Sequence, residues 1–137
     1  MRLTTAEIIE RAFRERIVVP AFNVPHLPMM APIVDALRAT RAFGLIQVAR
    51  LEWVKFESQN LKAVRDEYNR CGDPRYTRLH LDHVPVVDED GQRVEWEPIL
   101  AEAIALGYES LMLDASRLPL EENISATRQA VLLARPA

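Results

Sequence analysis

The stretch Arg78-Leu79-His80-Leu81-Asp82-His83 gathers a carboxylate and two imidazoles within four residues. In an extended chain Leu79 and Leu81 share one side, His80 and Asp82 the other, and His83 stands at the exit. A carboxyl can accept or return a proton if its surroundings tune it. An imidazole can do the same or bind a metal ion through a ring nitrogen. A catalytic zinc usually takes three protein ligands and keeps one position open. His83 can supply one, and His80 or His26 are the other imidazoles in the chain. His26 lies between Pro25 and Pro28 and reads as a loop residue. By spacing alone the Asp82-His83 pair is equally a capped strand end.

The elements that must position these groups alternate along the chain. Thr4 or Thr5 can cap a helix running to about Arg16, with Ile8, Ile9, Ala12 and Phe13 as its apolar side. Ile17 to Phe22 is continuously apolar and predicts a buried strand. A polar break from Asn23 to Pro28 leads to a helix from about Met29 to Ala42, stopped by Gly44. Leu45 to Ala49 is the next strand. Ser58 can cap a helix to Arg70, with Leu61, Val64 and Tyr68 at helical spacing. The turn Gly72-Asp73-Pro74 ends it, and Tyr76 to Asp82 is the third strand. The segment Val84 to Val94 holds two β-like runs around Asp90-Gly91 and predicts a hairpin. A helix from Pro98 to Leu106, ended by Gly107, leads into a fourth strand, Ser110 to Leu113, closing on Asp114. Pro119 opens a last helix, Leu120 to Ala134.

One helix followed by four strand–helix units implies a parallel sheet with right-handed crossovers. Such a chain suits a small doubly wound sheet, or half of an eight-fold barrel of about 250 residues. In either, the site forms at the C-terminal strand ends. The polar residues gather there: Asn23, then Arg50 and Glu52, then Asp82 and His83, then Asp114 and Ser116. With four glycines and no glycine-rich loop, a dinucleotide fingerprint is excluded.

Composition narrows the function further. Nearly half of the 137 residues are apolar and about a quarter charged, as in a folded domain. A net charge of −3 without a basic cluster speaks against nucleic acid. No apolar run approaches the roughly 20 residues of a membrane-spanning helix, and Met1 to Arg16 is too charged for a secretory signal. The single cysteine, Cys71, cannot form an internal disulfide, so a reducing cytoplasmic setting is expected.

Three segments in order carry a resemblance: Ala21-Phe22-Asn23-Val24, His80-Leu81-Asp82-His83, and Gly107 through Asn123 with its Asp-small-Ser-x-Leu-Pro-x-Glu-Glu-Asn core. Together they resemble the class II, zinc-dependent ketose-bisphosphate aldolases, over roughly Leu3 to Ala134. The resemblance implies a TIM (β/α)8-barrel of which residues 1–137 form the N-terminal half: a leading helix and the first four strand–helix units. It implies zinc as cofactor, a sugar phosphate as substrate, and a cytoplasmic role in carbohydrate metabolism such as glycolysis. The reaction is cleavage of a ketose bisphosphate to dihydroxyacetone phosphate and an aldehyde, or its reverse. Asp82 matches the family's proton-transfer carboxylate and His83 its first zinc ligand, while Asn23 and Asp114 match polar residues lining the site. Arg50 and Ser116 are further site-lining candidates, Arg50 as a phosphate or carboxylate contact. Lys55 and Lys62, the two lysines, have no strand-end placement for a Schiff base, which zinc chemistry does not require.

The chain departs from the family pattern at Ala49-Arg50-Leu51-Glu52-Trp53, where a serine and small residues are usual. It departs again at Arg117, where histidine is common, and in the hairpin after His83. These departures bear on the choice of ketose. The family's remaining zinc ligands and phosphate loops belong to later strands. The expectation is therefore a chain incomplete for catalysis alone, associating with copies of itself or with a C-terminal half. The alternative is a non-catalytic half-barrel module derived from the same family.

Overall fold

The computed structural model describes residues 2–135. Helix α1 spans Thr5–Glu15, and strand β1 spans Ala21–Asn23. A 3-10 turn, Leu27–Met29, leads into α2, Met30–Thr40. Then follow β2 (Gly44–Ala49), α3 (Arg50–Val54), α4 (Leu61–Cys71), β3 (Thr77–Pro85), α5 (Trp96–Ala105), β4 (Ser110–Asp114) and α6 (Leu120–Ala134). All strand pairings are parallel, and the order across the sheet is β1-β2-β3-β4. That order excludes the doubly wound alternative, whose strand sequence must reverse at a switch point. Three right-handed steps in one direction put the crossover helices on one face of the sheet. The opposite face is left open, as in a barrel cut lengthwise.

Period-2 alternation decides what each face carries. Ile46 and Val48 of β2 and Leu79 and Leu81 of β3 point to the helices and are fully buried. They pack with Val34 of α2, Val64 of α4, and Leu100 and Ala103 of α5. Each fully buried aliphatic side chain contributes about 2 kcal/mol of transfer free energy. Tyr68 closes the lower end of this core, its hydroxyl bonded to Thr77 at 3.0 Å.

Several sequence expectations shift in the structure. The strand expected over Ile17 to Phe22 forms only from Ala21, because pairing starts where Ala21 meets Leu45. Pro20 contributes only its carbonyl, which accepts from Leu45 N–H. Ile17 and Val18 run below the sheet, and Val18 is 86 % exposed. The apolar side of α1 is likewise uncovered, with Phe13 84 % exposed. Its cap is Thr4, whose hydroxyl accepts from Glu7 N–H while Glu7 reaches back to Thr4 N–H.

Helix α4 is capped by Asn60, not Ser58: the Asn60 side chain accepts from Ala63 N–H at 2.8 Å. Ser58 is buried and donates to the Val24 carbonyl at 2.6 Å, satisfying a backbone acceptor after β1 that no strand reaches. Helix α2 ends at Arg41 in the left-handed region (φ 53°), and Gly44 already belongs to β2. The five-residue α3 follows β2 directly, in a segment to which the sequence assigns no element. The segment after β3 makes a small hairpin turn, with a Val87–Arg93 bridge and Gly91 at φ 77°. Among the described residues no helix is long and apolar enough to cross a membrane.

Candidate functional site

The polar side chains on the open face lie in register. Asn23 of β1 pairs with Gln47 of β2, Gln47 with His80 of β3, and His80 with Ser110 of β4. The rung is held by side chains as well as backbone. Gln47 Nε2 donates to Asn23 Oδ1 at 2.7 Å and to Asp82 Oδ2 at 3.0 Å. His80 Nδ1 is 2.8 Å from Ser110 Oγ, and its Nε2 is 4.0 Å from Asp82 Oδ1. Burial lowers the His80 pKa, partly opposed by Asp82, so its neutral form is favoured.

Strand β3 does not end at Asp82 as expected; it runs on to Pro85. Strict alternation would send His83 to the helix side with Leu79 and Leu81. Instead His83 has φ 40°, and the β3–β4 register shifts between Leu81 and Val84. This bulge inserts a residue and re-aims the side chain. His83 leaves the core, half-exposed, with Nε2 2.9 Å from Asp114 Oδ2 at the end of β4. Beyond the bulge Val84 returns to the buried face. Histidine tolerates the left-handed region better than most residues, yet the position costs on the order of 1–3 kcal/mol.

Asp114 is held by the turn that follows it. Ser116, through its side chain and its N–H (2.8 Å to Oδ1), and then His83 keep the Asp114 carboxyl below the usual aspartate range. Asn123 of α6 donates to the Ala115 carbonyl at 2.9 Å and fixes the same turn. Arg50, at the start of α3, lies 3.8 Å from Asp88 Oδ2 in the loop after β3. Asp88 is itself positioned by the Asp90 and Gln92 N–H groups. Arg50 is thus engaged with the inserted loop.

Of the residues singled out in the sequence, Asn23 and Asp82 are joined through Gln47, and His83, Asp114 and Ser116 form a second cluster one strand away. His26 falls outside both: its Nδ1 pairs with Glu57 at 2.6 Å. Cys71 closes α4 with its thiol donating to the Glu67 carbonyl, and burial raises its pKa. Gln47, inside the apolar run Leu45–Ala49, is not among the residues the sequence singles out. Its signal was the alternation itself, a polar side chain between Ile46 and Val48. Glu52, noted only as a polar residue after β2, is buried at 8 % exposure.

The donor types at His83 and Asp114, one imidazole and one carboxylate, are ones that zinc accepts. Among the described residues no group of three or more His, Cys, Asp or Glu converges. These residues fit one side of a zinc site and do not suffice to hold the ion.

Two solved structures share the fold of this chain. A Coccidioides immitis protein assigned as a fructose-1,6-bisphosphate aldolase is 23 % identical, with a TM-score of 0.69, over 93 % of this chain and 46 % of that one. The YdjI aldolase of Escherichia coli K12 is also 23 % identical, with a TM-score of 0.71, over 93 % of this chain and 45 % of that one. The chain therefore spans under half the length of these barrels, and the likeness supports the half-barrel fold. The sequence itself matches the family model "Fructose-bisphosphate aldolase class-II" over residues 3–137. The chain belongs to the class II fructose-bisphosphate aldolase family.

Proposed function

We propose that this chain supplies the N-terminal half of a zinc-dependent ketose-bisphosphate aldolase. It would carry the proton-transfer group and one wall of the metal site. The observation that supports this best is the bulge at Asp82-His83, which turns two adjacent side chains to one open face at the C-terminal end of β3. A regular strand would give one of them to the core.

In this reading Asp82 is the acid/base. Its Oδ2 accepts from Gln47, while Oδ1 faces the neutral His80 and remains available to a substrate hydroxyl. In the cleavage direction a base must take the proton of the hydroxyl on the carbon that becomes the aldehyde; in condensation it returns that proton. Zinc, when bound, polarises the ketose carbonyl and offsets charge that develops on its oxygen. His83 is the ligand this chain offers it, with Asp114 orienting the ring. Asn23, with Gln47 on its oxygen, has an amide N–H to direct at a substrate oxygen. Ser116 and Arg50 flank the mouth of the site. Arg50 can meet a phosphate only by leaving Asp88, a modest loss at 3.8 Å.

The remaining ligands and the phosphate sites belong, on this reading, to four further strand–helix units, and the partner is whatever supplies them. In a barrel so completed, Asp82→Asn should lower kcat by about 10²–10⁴-fold with little change in KM. Unchanged kcat would remove Asp82 from the mechanism. The alternative, a non-catalytic module, is favoured by the uncovered apolar surface of α1 and α6, since burying that surface needs a partner and no chemistry. A complete barrel with no metal-dependent turnover would support it.

A further inference from the structure

The helix-covered layer is closed in its middle and open at its two ends. At the β4 end, α6 turns Ala126 inward, and that residue is buried. One flank of α6, carrying Glu122, Ser125 and Gln129, borders a small groove with Trp96 and Glu97 of α5. Helical spacing puts Leu120, Ile124 and Val131 on the opposite flank, away from α5. These three are 74 %, 50 % and 43 % exposed and form an apolar ridge. The β1 end shows the complement. One flank of α2 carries Arg38, whose Nε donates to Asp73 at 3.2 Å. The other flank, Ile33, Ala36 and Thr40, lines an apolar groove of about 470 Å³ together with Phe22 of β1.

We propose that a second copy of the chain fills both ends at once. The α6 ridge of each copy lies in the β1–α2 groove of the other, and β4 of each runs beside β1 of the other. The direction of the contact follows from the handedness of the fold. A right-handed crossover helix packs between the strand it leaves and the strand it leads to. Helix α6 leaves β4 and turns its ridge to the side where the next strand and its helix would stand. The pair β1–α2 is a strand and helix with a groove on the side where a preceding helix would stand.

Chemistry and symmetry favour the same partner. Ridge and groove are both apolar, while helical spacing turns the charged Glu121 and Arg128 of α6 outward. Strands β1 and β4 are the outer strands of the sheet, and this pairing would satisfy their free backbone edges. A contact between two different edges goes on as an open filament unless a rotation closes it. Here it closes, because two four-stranded halves about one axis make the eight parallel strands of a barrel. Such a pair holds two first halves and uses the edges that four further units would need. Self-pairing and completion of the proposed enzyme therefore exclude one another. The inference goes beyond the aldolase reading and rests on the half-barrel fold alone.

The test is size-exclusion chromatography with mass detection on the pure 137-residue chain, over a concentration series. Wild type should reach the mass of two chains and stop there. Ile124→Lys on the ridge and Ala36→Glu in the groove should each reduce it to one chain. Both positions are exposed in the single chain, so each variant keeps its fold, checked by circular dichroism. A mixture of the two variants should recover the dimer. One α6–groove contact is then native, and the other sets a lysine against a glutamate. A monomeric wild type, or a mixture that stays monomeric, would overturn the proposal. So would a dimer indifferent to Ala36→Glu, which would mean α6 packed on α6, and a mass rising past two chains, which would mean an open filament. None of these outcomes depends on turnover, so a failure of the aldolase reading leaves the result intact.

Discussion

His83 carries two physical burdens, a left-handed backbone and an exposed ring, and both follow from the same inserted residue. The return is a side chain brought to Asp114, and that pair is open to test by acid. Asp114 has a depressed pKa, so its contribution to stability is present above the unfolded-state value and is lost as pH falls through the folded one. Urea midpoints of wild type and Asp114→Asn should therefore differ at neutral pH and converge below the ordinary aspartate range. A constant gap would show that the Ser116 and His83 bonds do not favour the charged form. Glu52 has the opposite sign. Its raised pKa means that the cost of its burial is relieved as pH falls, so Glu52→Gln should stabilise the chain at neutral pH and lose that advantage in acid.

The elements were legible in the sequence where local chemistry decided them. The helix start at Thr4 or Thr5, the alternation in β3, and Gly107 after α5 are each local signals, and the Glu7 side chain, three residues after Thr4, settles the cap on Thr4. Gly107 sits at φ 77°, and a Cβ there would make only ordinary contact, the nearest atom being Arg65 Nη2 at 3.5 Å. Gly107→Ala should cost about 1–2 kcal/mol by thermal or urea denaturation, the left-handed penalty alone. Gly72 has ordinary φ, but a Cβ there would meet the Tyr68 carbonyl at 2.6 Å, so its substitution should cost through a clash instead. What the sequence could not disclose depended on neighbours distant in the chain. Ser58 and Asn60 are equally good caps, and the choice fell on Asn60 because Val24, 34 residues away from Ser58, needed a donor. The bulge at His83 appears only once β4 is paired with β3. The Asn23-Gln47-His80-Ser110 rung requires the registers of all four strands. The site was thus readable as a set of strand ends, and its internal wiring was not.

At the scale of the molecule, the sheet has a helix-covered face and a bare one. The outer sides of β1 and β4 have no strand partner among the described residues. Phe13 and Val18 below the sheet, and Leu120 and Leu132 on α6, are exposed apolar side chains, the kind of surface a partner covers. Val18→Asp should leave the stability of this chain within about 0.5 kcal/mol, because Val18 touches little in it. It should nevertheless prevent assembly, measured as loss of the associated species in size-exclusion chromatography with mass detection. A large loss of stability instead would mean that Val18 is already buried in the isolated chain.

The central claim is that these residues hold the acid/base and one wall of a zinc site without completing it. The direct measurement is a coupled aldolase assay with added zinc, run on the pure 137-residue chain and on the chain mixed with the four further strand–helix units proposed to complete it. The expected result is no turnover from the chain alone, and chelator-sensitive turnover from the mixture that is lost with Asp82→Asn. Turnover by the chain alone, abolished by chelator, would contradict the account, as would a full assembly that binds zinc and cleaves no ketose bisphosphate.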